Sequence, residues 1–368
     1  MEITGLEAIP YALPFREPYV TASGRLDQRE MILIRLHTDE GIVGLGEVTP
    51  LSLRGGTSLE KAWGQVRRAG HRLSRTSLDG IAGPDPLAAA IEVVVAQVPG
   101  RRYAAPVKAG LEIALFDLAA KVTGVPLWHL MKGPEAAPVR CNATLSSGEP
   151  PDVAERASEW ATRGFTTFKL KVGAGDDLAQ VAAVRSALGP DARIRVDANG
   201  SWSADEAIDS LGAIEAQNVE LAEQPSGSLR ELSRVADASA IPVAADESVN
   251  DAKDAARAVE ANACKYATVK LAKVGGIGPA SAIARELPVY LSSALDGPVG
   301  IAAAAHAAQA IYRNAEDPGL AHGLATQALF EHTIATQECR LDGDKLTVPE
   351  GPGLGVEIDE TALEAAAL

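Results

Sequence analysis

Basic charge is the first thing this sequence lacks. Its 34 lysines and arginines are outnumbered by 49 aspartates and glutamates, a formal net charge of −15 at pH 7. A nucleic-acid binder neutralises phosphates with a basic surface, and none is offered in bulk. Cysteine is scarce too. Cys141, Cys264 and Cys339 are odd in number and far apart, which excludes a disulfide framework or a paired-cysteine zinc site and fits a reducing cytoplasm. Long apolar runs are also missing: the alanine-rich stretch 301–311, interrupted by His306, falls short of the roughly 20 residues of a membrane span. The opening residues, with Glu2 and Glu7, lack the basic start and apolar run of a secretory signal. Neither nucleic acid nor membrane is an expected partner. The six histidines include no HxH or HExxH pair, so a histidine-based zinc site has no support either.

What is present is a composition of 46% apolar and 23% charged residues, enough to bury a large core. The 368 residues suggest two domains, or one barrel-sized domain with an appendage. Apolar and polar residues alternate through 31–36 and 42–46 on either side of Asp39-Glu40-Gly41, predicting an antiparallel meander with a hairpin turn. From 58 to 122 the spacing becomes helical, with Gly124 and Pro126 as stop signals. After Pro138, strand-like runs alternate with helical stretches about every 25 residues. Strands are expected at 139–145, 167–171, 193–197, 219–223, 243–246, 267–271, 289–293 and 323–326. Eight strands alternating with helices predict a parallel (β/α)8-type barrel in preference to an open doubly wound sheet. The tail reverts to short strands and turns. The expected organisation is an α+β cap over 1–132, a β/α barrel over 133–330, and a segment 331–368 returning to the cap.

Barrel enzymes place their chemistry at the C-terminal ends of the strands. Here those ends carry an ordered set: Lys169 and Lys171 on strand two, Asp197 on three, Glu223 on four, Asp246 or Glu247 on five, and Lys270 on six. Three converging carboxylates raise one another's pKa unless a counter-charge is present. A divalent cation resolves this, and all-oxygen ligation suits Mg²⁺ or Mn²⁺ better than zinc. Lysines beside such an ion can serve as bases toward a proton α to a carboxylate, with the cation stabilising the charge that develops. An ordinary lysine, with pKa about 10.4, is a poor base at neutral pH. Lys169 and Lys171 are two apart and point the same way, so the charge of one lowers the pKa of the other. The Gly275-Gly276-Ile277-Gly278 run has no third glycine at Ser281 and no acidic residue about 20 positions on, so it reads as a barrel loop and not a nicotinamide site.

Lys169-Leu170-Lys171, Val196-Asp197-Ala198-Asn199-Gly200, Ala222-Glu223-Gln224-Pro225, Ala245-Asp246-Glu247-Ser248 and Val269-Lys270-Leu271 resemble the motifs of the enolase superfamily in its muconate lactonizing enzyme subgroup. The resemblance covers nearly the whole chain, cap and tail included. It implies that Asp197, Glu223 and Asp246 bind Mg²⁺, that Lys171 and Lys270 lie on opposite faces of the substrate, and that Lys169 tunes Lys171. Mandelate racemase-like members use a strand-seven histidine backed by a strand-six aspartate, where this chain has Lys270 and 291–296 without histidine. Dipeptide epimerases typically carry Asp-x-Asp near strand eight, where this chain reads Gly323-Leu324-Ala325-Thr326-Gln327.

The stretches 292–302, 13–19 and 46–51, and Gly323-Leu324 with Ala328-Leu329-Phe330, are similar to o-succinylbenzoate synthases of actinobacterial type. That similarity implies a syn elimination of water from a cyclohexadiene carboxylate in menaquinone synthesis, with Lys171 as base and Lys270 as electrostatic stabiliser. The alternatives are an N-acylamino acid racemase, a muconate-type cycloisomerase, or a catalytically retired homologue. Candidate substrate contacts are Asn199, Ser293, Asp296, Tyr19, Arg25 and Arg54, with cap loops near 19–25 and 49–57 closing over the mouth. The expected partner is a small carboxylate in a cytoplasmic protein that could assemble as a homo-oligomer.

Overall fold

The alternation of the first fifty residues folds as three antiparallel strands, β1 (Ile3–Thr21), β2 (Gly24–Thr38) and β3 (Val43–Val48), in that spatial order. The computed structural model describes residues 1–21, 24–52, 56–98, 104–134 and 136–368. Side chains alternate across a strand, and here both faces are covered. Tyr11, Leu13, Met31, Leu33 and Leu45 join the large core that fills the rest of the molecule. Ile32, Ile34, Leu36 and Val48 face a separate core made with the cap helices.

Those helices are α1 (Leu59–Leu73), started by the Ser58 side chain, α2 (Pro84–Ala96), with proline in its first turn, and α3 (Ala105–Thr123), ended at Gly124. Helix α3 lies against β3 so closely that a Cβ on Gly44 or Gly46 would stand 2.2 or 2.0 Å from the Ala114 or Gly110 carbonyl oxygen. Only glycine permits that approach.

The chain then enters the barrel. The expected first strand is interrupted: β4 (Val139–Arg140) pairs outward with the tail, and β5 (Ala143–Leu145) opens the parallel sheet. It continues through β6 (Thr167–Lys171), β7 (Arg193–Asp197), β8 (Val219–Glu223), β9 (Val243–Ala245), β10 (Tyr266–Val269) and β11 (Val289–Leu291), each beside the next. The expected eighth strand at 323–326 is not one. The ring closes through His322, bridged to Cys141, and Gly323, bridged to Ser292. Asn142 N–H donates to the His322 carbonyl at 2.8 Å, and Ser293 N–H to that of Gly323 at 3.0 Å. The chain then turns at once into a 3₁₀ helix, Ala325–Leu329. Two residues suffice to hydrogen-bond both neighbours, so the eighth stave needs no strand length.

In the tail, β12 (Ala335–Gln337) pairs with β15 (Glu357–Ile358), while the hairpin of β13 (Arg340–Asp342) and β14 (Lys345–Thr347) extends onto β4. The last helix, Glu360–Ala366, returns to the cap, where Glu360 pairs with Arg35 at 2.6 Å and Leu368 N–H donates to Pro10. No helix among the described residues is long and apolar enough to cross a membrane. Cys141, Cys264 and Cys339 are free.

Candidate active site

Parallel register gathers the charged residues. Lys171 pairs with Asp197, and Asp197 with Glu223, so three strands end side by side in charge. Glu223 aligns with Ala244, two residues before Asp246, which therefore stands on the same side just past β9. Lys270 directly follows β10. With the ring closed at eight staves, β6 and β10 are four apart, so Lys171 and Lys270 face each other across the mouth. All of these side chains are buried.

Each lysine sits on a carboxylate. The Lys169 and Lys171 ammonium groups share one oxygen, Asp197 Oδ2, at 2.8 and 2.6 Å. Lys169 also donates to Glu223 Oε1 at 2.7 Å, and Lys171 to Asn199 Oδ1 at 3.0 Å. Lys270 donates to Asp246 Oδ2. Burial opposes the charge of Lys169, but Asp197 and Glu223 outweigh it and hold its ammonium well above the ordinary lysine range. Lys169 is thus a fixed cation beside Lys171. Gln224, in the left-handed region at φ 38°, accepts from Asp246 N–H at 2.8 Å and donates to Ser248 at 2.6 Å. That strained residue joins the loops after β8 and β9 and keeps Glu223 and Asp246 in step.

Among the described residues no three acidic, histidine or cysteine side chains form a ready metal cage. Lys169 bridges two of the carboxylates, and Lys270 and Lys273 hold the third. The donor chemistry nevertheless fits a hard cation. Three buried carboxylates at neighbouring strand ends offer only oxygen, and the lysines that neutralise them have flexible stems.

A cavity of about 1060 Å³ opens from this cluster. Tyr19 and Ser293 line it, as do Lys169, Lys171 and Lys270. Asn199 spans Lys171 and Glu247, accepting from the first at 3.0 Å and donating to the second at 3.3 Å. Asp296, just past Ala294 and Leu295 of the cavity wall, is buried, and its carboxylate accepts from Ala294 N–H at 3.0 Å and from Thr49, near Arg29. Arg25, one residue before the cavity-lining Leu26, is exposed and paired with Asp27 at 2.7 Å. Arg54 lies outside the described residues.

Several residues escaped the sequence reading. Lys273, one turn beyond Lys270, donates to Asp246 Oδ1 at 2.9 Å. Tyr290 projects inward from β11, and its phenol donates to Glu223 Oε2 at 2.6 Å. Two cap carboxylates clamp the barrel. Glu47 accepts from Tyr11 at 2.8 Å and from Gly297 N–H at 2.7 Å, and burial together with the charge of Asp296 pushes it up to about 7. Glu112 of α3 accepts the N–H groups of Ile277 and Gly278, at the start of the Ile277–Ala284 helix, and burial pushes it up to about 7. The glycine run 275–278 is therefore the seat of a protein carboxylate. A Cβ on Gly276 would stand 1.7 Å from Glu112 Oε2.

Comparison with known proteins decides the lineage. Residues 4–132 match the mandelate racemase / muconate lactonizing enzyme N-terminal domain, and residues 152–362 match the enolase C-terminal domain-like family. The chain belongs to the mandelate racemase / muconate lactonizing enzyme family. It is 27% identical to the N-succinyl-L-Arg/Lys racemase of Bacillus cereus, covering 99% of this chain and 97% of that one. The dipeptide epimerase of Cytophaga hutchinsonii, solved with Mg and the dipeptide D-Ala-L-Val, superposes with a TM-score of 0.89 at 28% identity, over 99% and 98% of the two chains. The muconate lactonizing enzyme of Pseudomonas fluorescens, solved with muconolactone, gives 0.90 at 28% identity, over 100% and 99%. The chain is thus an enzyme of this family with the barrel and cap expected. These relatives support the racemase and cycloisomerase alternatives better than o-succinylbenzoate formation.

Proposed function

We propose that this enzyme racemises a small carboxylate bearing an uncharged, N-acylated amine at Cα, with Lys171 and Lys270 as the two proton-transfer groups. The observation that carries this reading is the placement of the two buried lysines four staves apart, one on each side of the cavity mouth. One amine takes the Cα proton, breaking the C–H bond. The opposite ammonium then supplies a proton to the other face, forming a new C–H bond of inverted configuration. Asp197 and Glu223 hold Lys169 charged, so a fixed cation stands beside Lys171 on the same Asp197 oxygen. Asp197, Glu223 and Asp246 would hold Mg²⁺, with Mn²⁺ as a substitute, supplying positive charge beside the substrate carboxylate where charge accumulates as the proton leaves. Ser293 and Thr326, not carboxylates, line the side toward the eighth stave, which suits an acylated amine better than a free ammonium.

The test is solvent deuterium exchange, followed by NMR, on both enantiomers of a panel of N-succinyl and N-acetyl amino acids with Mg²⁺ present. Both enantiomers should exchange and interconvert. Lys171→Ala and Lys270→Ala should each abolish racemisation, each sparing exchange on the face served by the other lysine. Exchange confined to one face would favour elimination instead, the o-succinylbenzoate reading carried by the similarity of 292–302. No exchange with any simple carboxylate would support a retired homologue.

A further inference from the structure

We propose that Tyr290 is a positioning residue for Glu223, fixing which oxygen of that carboxylate faces the site. Tyr290 is wholly buried on β11, three staves from β8, and its side chain reaches Glu223 inside the barrel. Its hydrogen-bond direction is set. The Thr268 hydroxyl donates to the phenol oxygen at 2.6 Å, and the phenol donates its single proton to Glu223 Oε2 at 2.6 Å. The other oxygen, Oε1, is left to Lys169. The two oxygens are therefore not equivalent: one is tied to the barrel interior, the other belongs to the charged cluster.

The ring is itself supported. The Arg195 guanidinium stacks over it at 5.0 Å, donates to Ala321 O at 2.6 Å and pairs with Glu220 at 2.5 Å. Arg195 thereby ties the strandless eighth stave, β8 and the Tyr290 ring together. A glutamate carboxylate on a flexible stem must be immobilised before it can ligate, and an aromatic hydroxyl held on two sides does that in advance.

This inference rests on the reading of Glu223 as a cation ligand, so its test keeps the two separable. Mg²⁺ is titrated calorimetrically into the full chain, the parent alongside Tyr290→Phe, Thr268→Val and Glu223→Gln, with thermal unfolding run on each. Loss of a partner behind a metal ligand costs about 10- to 100-fold in affinity. Tyr290→Phe should weaken Mg²⁺ binding at least about tenfold, at the low end of that range. Thr268→Val should give a smaller loss in the same direction, and Glu223→Gln should abolish binding. Parent affinity in Tyr290→Phe beside abolished binding in Glu223→Gln would overturn the role of Tyr290 and leave the ligand reading standing. Parent affinity in Glu223→Gln would overturn both. If Tyr290→Phe fails to fold, Thr268→Val decides, and unchanged Mg²⁺ affinity there overturns the proposal.

Discussion

Replacing Glu112 by Gln should flatten the dependence of stability on pH. In the folded protein this carboxyl, buried between α3 and the barrel, keeps its proton up to about 7, against an ordinary value of 4.5. Between those values the folded state holds a proton that the unfolded state has released, so raising the pH favours unfolding. The contribution is fully present below the unfolded value and lost as pH rises through the folded one. At about 1.4 kcal/mol per pH unit, the loss across this window is about 3 kcal/mol. Gln is neutral throughout and keeps a carbonyl oxygen for the N–H groups at the helix start. Seating its amide nitrogen costs the same at every pH and leaves the slope unaffected.

The assay is urea unfolding of both proteins at steps from pH 4.5 to 8, reading the difference between them. That difference cancels the opposing influence of His306 and His322, which burial lowers to about 4 and which therefore weaken the fold as pH falls through 6.5. The difference should move in the variant's favour by about 3 kcal/mol from the acid to the neutral end. A flat difference, or one that moves against the variant, would show that the helix start holds an anion and that burial does not dominate.

Further outcomes follow from the site and its clamps. Lys171→Ala should abolish turnover and exchange on its own face, whereas Lys270→Arg, which keeps the charge but cannot deprotonate, should lose racemisation while retaining exchange on the Lys171 face; deuterium NMR reads both. Removing divalent cations with a chelator should stop exchange, and Mg²⁺ or Mn²⁺ should restore it; exchange that persists without cations refutes the metal reading. Gly276→Ala places a Cβ against Glu112 at a backbone φ of 131° and should destabilise by roughly 1–3 kcal/mol in urea unfolding. A stability equal to the parent's would mean that α3 can retreat.

The strands 167–171, 193–197 and 219–223 were legible in the sequence because an apolar run ends there in a charge, and the structure gives the same bounds. Their common mouth followed from one repeating interval. The eighth stave was not legible, because its hydrogen bonds come from His322 and Gly323 alone and leave no periodic trace. The partners of Asp296 were not legible for a different reason: a polar residue just past a strand end can turn to the cavity or the cap, and here Thr49 and Ala294 hold its carboxylate. Tyr290, Glu112 and Glu47 are single residues whose partners lie 67, 165 and 250 positions away in sequence. No local pattern announces such pairings. The glycine run 275–278 read as a barrel loop, and nothing in it told that a side chain of the chain's own cap is seated there.

The sheet of the cap divides its side chains between two cores, and this bears on how the enzyme could be rebuilt. Met31 and Leu33 lie in the same apolar mass as the barrel strands, while Ile32 and Ile34 belong to the cap helices. A cap taken from a relative would bring its own wall for the barrel as well as its own loops. Grafting whole caps therefore replaces part of the barrel's packing, and a hybrid that fails to fold says nothing of specificity. Exchanging only residues that follow β3 and line the cavity, such as Leu51 and Ser52, leaves that shared wall intact while the mouth is redesigned.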